Sequence, residues 1–191
     1  MKRKLIIALA LCLALALGIG GTMAYLTATT DAVVNTFTLG NVAITLAETE
    51  GSVVDGKHQF KMVPGNEIDK DPKVTVIKGS EACWLFVKLT KSDNFDDYLT
   101  YTVDNTEWTA LPGEVGVYYR EVAQNDMANQ VFSVLSGDKV VVKTSVTLDE
   151  VNNNNFTQPT LTIKAAAIQK ANIADAATAF KSLPKAFTGL E

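Results

Sequence analysis

Few residues in this sequence are of the types that perform chemistry on their own. There is one histidine, His58, and there are two cysteines, Cys12 and Cys83. Catalytic zinc normally takes three protein ligands rich in histidine, and no His-Glu-x-x-His pattern surrounds His58. The other metal candidates are two acidic stretches, Asp69 to Asp71 and Asp93 to Asp97. Neither has the spacing of a recognised Ca²⁺ loop, and such runs ordinarily serve as solvated surface turns. A thiol nucleophile would need Cys83 beside His58 in space. Cys83 falls in a strand-like apolar run, however, where a buried inert thiol is expected. The glycine patterns of nucleophile elbows, phosphate loops and dinucleotide-binding turns do not occur. The expectation is a protein with no catalytic residues, no cofactor and no resident metal.

The elements that carry these residues fall into two unlike parts. Lys2, Arg3 and Lys4 precede an unbroken apolar run from Leu5 to Leu17, followed by Gly18, Gly20, Gly21 and Thr22-Met23-Ala24. That is the layout of a secretory signal, with Thr22 and Ala24 suited to the −3 and −1 pockets of a signal peptidase and Tyr25 as the new N-terminus. The competing reading is a permanent anchor. Residues 5–26 carry no charge and, as a helix, would reach about 33 Å, enough to cross a bilayer. Three glycines near its end weaken that helix, so cleavage is favoured. Either way the basic cluster stays inside, and the rest of the chain lies outside the cytoplasm. Contact with a membrane is then expected only through an uncleaved leader.

Cleavage would also remove the leader's three cations. What remains has 14 Lys+Arg against 21 Asp+Glu, a formal charge of −7 where the whole chain has −4. An acidic exported chain is a poor partner for nucleic acid. With Cys12 gone, Cys83 has no cysteine in the same chain to bridge to.

Beyond the leader the composition is that of β structure. Val and Thr supply 40 of the 167 residues after Ala24, and both fit a pleated, half-buried surface. From Cys83 to Thr90, Cys83, Leu85, Val87 and Leu89 alternate with Trp84, Phe86, Lys88 and Thr90. From Val140 to Leu148, Val140, Val142, Val146 and Leu148 would face a core. Alternation with period two marks antiparallel strands with one face buried. Similar runs at 36–47, 58–63, 73–78, 98–103, 115–122, 130–135 and 160–168 are separated by turn residues such as Pro64-Gly65-Asn66, Lys78-Gly79-Ser80, Pro112-Gly113, Ser136-Gly137-Asp138 and Asn152 to Asn155. About nine short strands with almost no helix between them predict an all-β, two-sheet antiparallel sandwich. Ile173, Ala176, Ala177, Phe180 and Leu183 recur at helical spacing. They predict one short C-terminal helix packed on the sandwich, capped by Asn172 and stopped by Pro184.

One irregularity lies just after the leader. Phe37 and Leu39 occupy odd positions, while Val42, Ile44 and Leu46 occupy even ones, with Gly40-Asn41 at the change of phase. A glycine there suggests a bulge or bend. Residues 25–39 could then pair with a different sheet, or a different molecule, from residues 42–47. An ordinary bulged first strand is the simpler reading of the same residues. The expected organisation is a leader over 1–24, an N-terminal segment over 25–40 and a sandwich over 41–191.

The stretch GGTMAYLTATTDAVVNTFTLGNVAITLAE, Gly20 to Glu48, resembles the junction of exported proteins cut by the SipW-type signal peptidase, the TasA/camelysin family of monoderm bacteria. In that family a Gly-Gly-Thr-x-Ala leader end is followed by an aromatic, a Thr/Asp-rich stretch, and Asn-Thr-Phe-x-x-Gly-Asn-Val before the first strand. Val63-Pro64-Gly65 with Lys70-Asp71-Pro72, Trp108 to Val122 and Leu161 to Gln169 are also similar. Ala28 stands where an Asp is common, and Ala166 where many relatives have an aromatic.

The resemblance implies a secreted, jelly-roll-like sandwich of the biofilm matrix or cell surface. Its partners would be a SipW-type signal peptidase and either other matrix proteins or copies of itself joined in fibres. The freed N-terminal segment would then be similar to a donor strand that completes the next subunit's sheet, with Tyr25, Leu26, Val33, Val34, Phe37 and Leu39 as its contacts. An unpaired strand edge accepts such a strand through its free N–H and C=O groups. A contact of that kind runs head to tail and need not close, which gives filaments. The name camelysin also brings a metallopeptidase reading, to which one histidine gives little support. A monomeric cell-surface binding module predicts the same fold.

Overall fold

The computed structural model describes residues 40–54, 57–151 and 156–189. Twelve strands occur among them: β1 (Ile44–Ala47), β2 (Ser52–Val54), β3 (Lys57–Gln59), β4 (Glu67–Asp69), β5 (Lys73–Val76), β6 (Cys83–Lys91), β7 (Leu99–Val103), β8 (Thr109–Ala110), β9 (Val117–Val122), β10 (Gln130–Ser133), β11 (Leu135–Val142) and β12 (Leu161–Gln169). Four short helices accompany them: α1 (Phe95–Tyr98), α2 (Leu148–Val151), α3 (Ala176–Lys181) and α4 (Lys185–Thr188). Every strand pairing is antiparallel. The chain is an all-β sandwich with short helical structure at its C-terminal end.

One layer is a four-stranded sheet in the order β12-β6-β9-β8. The facing layer is built from two ladders, β1-β5-β10 and β4-β11-β7. These ladders join because Ser133 opposes Lys73 while Lys139 opposes Asp69. One chain therefore spends two more residues than the other over the same stretch. The excess sits at Ser136-Gly137-Asp138, where Gly137 has φ 64° and Asp138 φ 54°. This tripeptide, expected as a turn between strands, is instead an irregularity inside β11, where the register against β7 shifts between Leu135 and Val140. Its left-handed residues bend the strand without ending it.

The face of β6 read as Cys83, Leu85, Val87 and Leu89 points into the sandwich, where it meets Val74 and Val76 of β5, Val103 of β7 and Val140 and Val142 of β11. The opposite face carries Trp84 and Phe86, which form a second core with Ala176, Ala179, Phe180, Leu183 and Phe187. The C-terminal helical segment thus lies on the sandwich, as the spacing predicts. Its cap does not. Asn172 has φ 64° and belongs to the turn after β12, whereas Asp175 is extended and accepts a hydrogen bond from the Thr178 amide at 2.7 Å. Ala177 is exposed, and Pro184 opens α4 as well as ending α3.

Two expected strands are shorter than their apolar patterns. The run over 140–148 ends at Val142, because Thr147 and Glu150 form a reciprocal capping box. The Thr147 amide and hydroxyl both donate to Glu150 Oε2 at 2.8 Å, and the Glu150 amide donates to Thr147 Oγ1 at 3.3 Å. That box starts α2 where a strand was expected. The run over 58–63 stops at Gln59.

Lys88 breaks the apolar outer face of β6 for a structural reason. Its ammonium donates to the carbonyls of Phe187 at 3.4 Å and Thr188 at 2.9 Å, the open C-terminal end of α4. Lys88→Met keeps the apolar stem and removes these bonds. The expected loss is about 1–2 kcal/mol in urea unfolding, with faster hydrogen exchange confined to residues 176–189. Unchanged exchange there would show that Lys88 does not hold the helices.

Candidate functional site

The sandwich is open along one side. In one layer β12 is bonded to β6 alone, and in the other β4 is bonded to β11 alone; among the described residues neither is hydrogen-bonded to a strand on its other edge, although β1 lies close to β12. A groove of about 700 Å³ runs between them. Its apolar part includes Ile68, Phe95, Leu99, Val140, Phe156 and Leu161, and its polar end is formed by Glu48, His58 and Lys70. A smaller hollow of about 190 Å³ lies between the end of β1 and Leu161 and Ile163 of β12.

The polar end is held by a carboxylate. After β1 the chain leaves the sheet, and Asp71 catches it there, accepting from the Thr49 amide at 2.8 Å, the Glu50 amide at 3.0 Å and the Thr49 hydroxyl. Lys73 adds a fourth contact at 3.3 Å. Burial works to raise the Asp71 carboxyl, but these bonds, led by that from the Thr49 hydroxyl, outweigh it and hold the group well below the usual carboxylate range. Beside it Lys70 Nζ contacts both oxygens of Glu48, at 2.8 and 2.9 Å, and lies 4.9 Å from the centre of the Phe60 ring. The Lys70 and Glu48 side chains are only 12 and 14% exposed. Their pairing is therefore less screened by water than that of a surface salt bridge.

The sequence-derived candidates are placed as follows. Cys83 is fully buried and unbridged in the sandwich core, where burial pushes its thiol up to about 11. His58 lies on β3 at the groove, so the two residues occupy different environments and form no nucleophile pair. The Nδ1 of His58 is 2.7 Å from the Glu50 carbonyl. A carbonyl only accepts, so this nitrogen carries the proton. Asp69 to Asp71 does not behave as one solvated loop: Asp69 ends β4, Lys70 reaches Glu48 and Asp71 is the buried clamp. In Asp93 to Asp97, Phe95 is the buried first residue of α1, and Asp96 is paired with Lys91. Among the described residues no three His, Cys, Asp or Glu side chains are grouped so as to hold a metal ion. Thr22, Ala24, Tyr25, Leu26, Val33, Val34, Phe37 and Leu39 lie outside the described residues, as does the run Asn152 to Asn155.

The groove and its clamp escaped the sequence reading. Asp71 shows no motif with Thr49, 22 positions earlier, and edge status depends on pairings that a strand pattern leaves open. Compared with protein-family models, curated proteins and solved structures, the chain matches none.

Proposed function

We infer that this chain is an exported structural protein of the extracellular matrix or cell surface. In this reading a SipW-type peptidase cuts after Ala24, as in the TasA/camelysin family that residues 20–48 resemble. Subunits then join when residues 25–39 of one enter the open side of the next. The observation that supports this most is the groove, where β12 and β4 each end a sheet and the space between them is lined about equally by apolar and polar groups. Added as a strand, the segment would satisfy the unpaired backbone of such an edge and fill alternate side-chain positions. A long, half-apolar edge such as β12 is otherwise a liability for a secreted chain.

Mass spectrometry of the exported protein is expected to find Tyr25 as its first residue. Electron microscopy of that mature form is expected to show filaments, and the same protein lacking residues 25–39 to remain monomeric. An intact leader would overturn the processing step. Filaments that survive the deletion would overturn strand donation, and a mature form that stays monomeric at all concentrations would favour a monomeric binding module.

A further inference from the structure

This inference rests on the strand-donation reading and concerns where a donated segment goes beyond β12. A strand advances about 3.3 Å per residue, so nine-residue β12 offers about 30 Å of edge, while residues 25–39 would extend about 50 Å. A segment paired along β12 overruns it by roughly six residues. At the end where β12 begins, His58 and Phe60 line the groove beside Leu161 and Ile163.

On the β2–β3 hairpin Val53 is the cross-strand partner of His58, so their side chains share one face, and Val54 lies on the other. Val53 is 61% exposed, and the ring of His58 stacks on that of Phe60 with centroids 6.5 Å apart. His58 and Phe60 line the groove at its polar end and Val53 lies across the hairpin from His58, so the three make a mixed aliphatic and aromatic shelf beside the groove. The shelf is already fixed in place by the Asp71 clamp on Thr49 and Glu50, by the bond between His58 and the Glu50 carbonyl, and by Lys70 over Phe60. A pre-ordered apolar surface loses little further entropy on docking.

We propose that the shelf of Val53, His58 and Phe60 is the docking surface for the part of a second copy's residues 25–39 that overruns β12. The occupant suits it: the segment carries Val33, Val34, Phe37 and Leu39 and a single charged residue, Asp31. Four of the seven exposed large hydrophobics among the described residues, Leu46, Val53, Val54 and Val63, lie between positions 46 and 63.

The test uses the mature full chain with Val53→Asp and, on the opposite face of the same hairpin, Val54→Asp. Both sites are exposed, so both monomers should melt at the wild-type temperature. Val53→Asp is expected to raise the critical concentration for filaments at least tenfold, and Val54→Asp to leave it within twofold. In wild-type protein the amides of Val53 and His58 should exchange more slowly in filaments than in monomer, a measurement that needs no variant. Equal effects of the two substitutions, no effect of Val53→Asp, or unchanged exchange would overturn the shelf. Strand donation would still stand in those cases if deleting residues 25–39 abolished filaments. Filaments that survive the deletion would overturn both.

Discussion

Phe86→Ala is expected to lower folding stability by about 3–5 kcal/mol, the range for removing a fully buried aromatic. Phe86 is 0% exposed on the outer face of β6. Its ring centre lies 5.8 Å from that of Phe180 and 6.2 Å from that of Tyr119, in tilted packing. The residue therefore joins three elements, β6, β9 and α3, and few neighbours can collapse into the space it leaves. Both flanking layers are fixed, one by sheet hydrogen bonds and the other by the Asp175 cap and the contacts of Lys88 with α4. Domains of this size have roughly 5–15 kcal/mol of stability in total, so the variant should sit near the edge of folding. Urea unfolding should show a lower midpoint with an unchanged slope. Phe86→Leu, which keeps most of the volume, should recover more than half of the loss. A loss under about 1 kcal/mol for the alanine variant would mean that the helical layer contributes little to the fold.

Asp71 is expected to give the second-largest effect, with a distinctive pH dependence. Asp71 is 7% exposed, and its carboxylate holds two backbone amides, one hydroxyl and one ammonium. Asp71→Asn keeps the shape but replaces one accepting oxygen with a donor. At least one of these groups then loses its partner, and the charge assistance is lost for all. The expected cost at neutral pH is about 2–3 kcal/mol. The folded carboxyl is held below its unfolded value. Its stabilisation is therefore present above about pH 4 and declines as pH falls through that value toward the depressed folded one. The stability gap between wild type and Asp71→Asn should narrow from pH 6 to pH 3 in urea titrations. A gap of constant width would show that the ionised state of Asp71 is not what stabilises. Because Asp71 pins the root of the β2–β3 hairpin, hydrogen exchange in Asp71→Asn should rise first at residues 49–54.

Much of the sandwich was legible because its central strand reads without ambiguity. In β6 every second residue is apolar, which marks one buried face; that Trp84 and Phe86 on the other face are buried as well was decided by the helices that cover them. Period-two alternation also located β5, β7, β9, β10 and β12 to within a few residues. Errors arose where two local signals competed. Val146 and Leu148 continued the apolar phase of β11, yet Thr147 and Glu150 carried a capping box, and the box prevailed because it satisfies amides at a helix start. The sequence reading places the cap at Asn172, and Asp175 is a residue of equal capping ability. Asn172 tolerates a left-handed backbone and was used in the turn, leaving Asp175 for the helix. At Ser136-Gly137-Asp138 the residue types of a turn served a bulge, since both need left-handed backbone.

The candidate site was less legible than the fold. His58 was visible as a lone histidine, but its surroundings bring together residues 48–50, 58–60, 68–71 and 160–163, which no local pattern connects. The two acidic runs were visible as charge, and burial of Asp71 among amide donors reversed the role of one of them.

The sequence by itself determined the leader-like start, the acidic balance beyond it, the β composition and the faces of the principal strand. Each depends on residue type and short spacing, which fix hydrophobic periodicity and charge directly. Only the tertiary structure decided that β12 and β4 are sheet ends, that a groove opens between them and that Asp71 anchors its rim. Those features depend on which strands hydrogen-bond to which. Antiparallel pairing joins segments far apart in the chain through backbone groups that are the same in every residue, so the choice of neighbours is set by the packing of the whole sandwich.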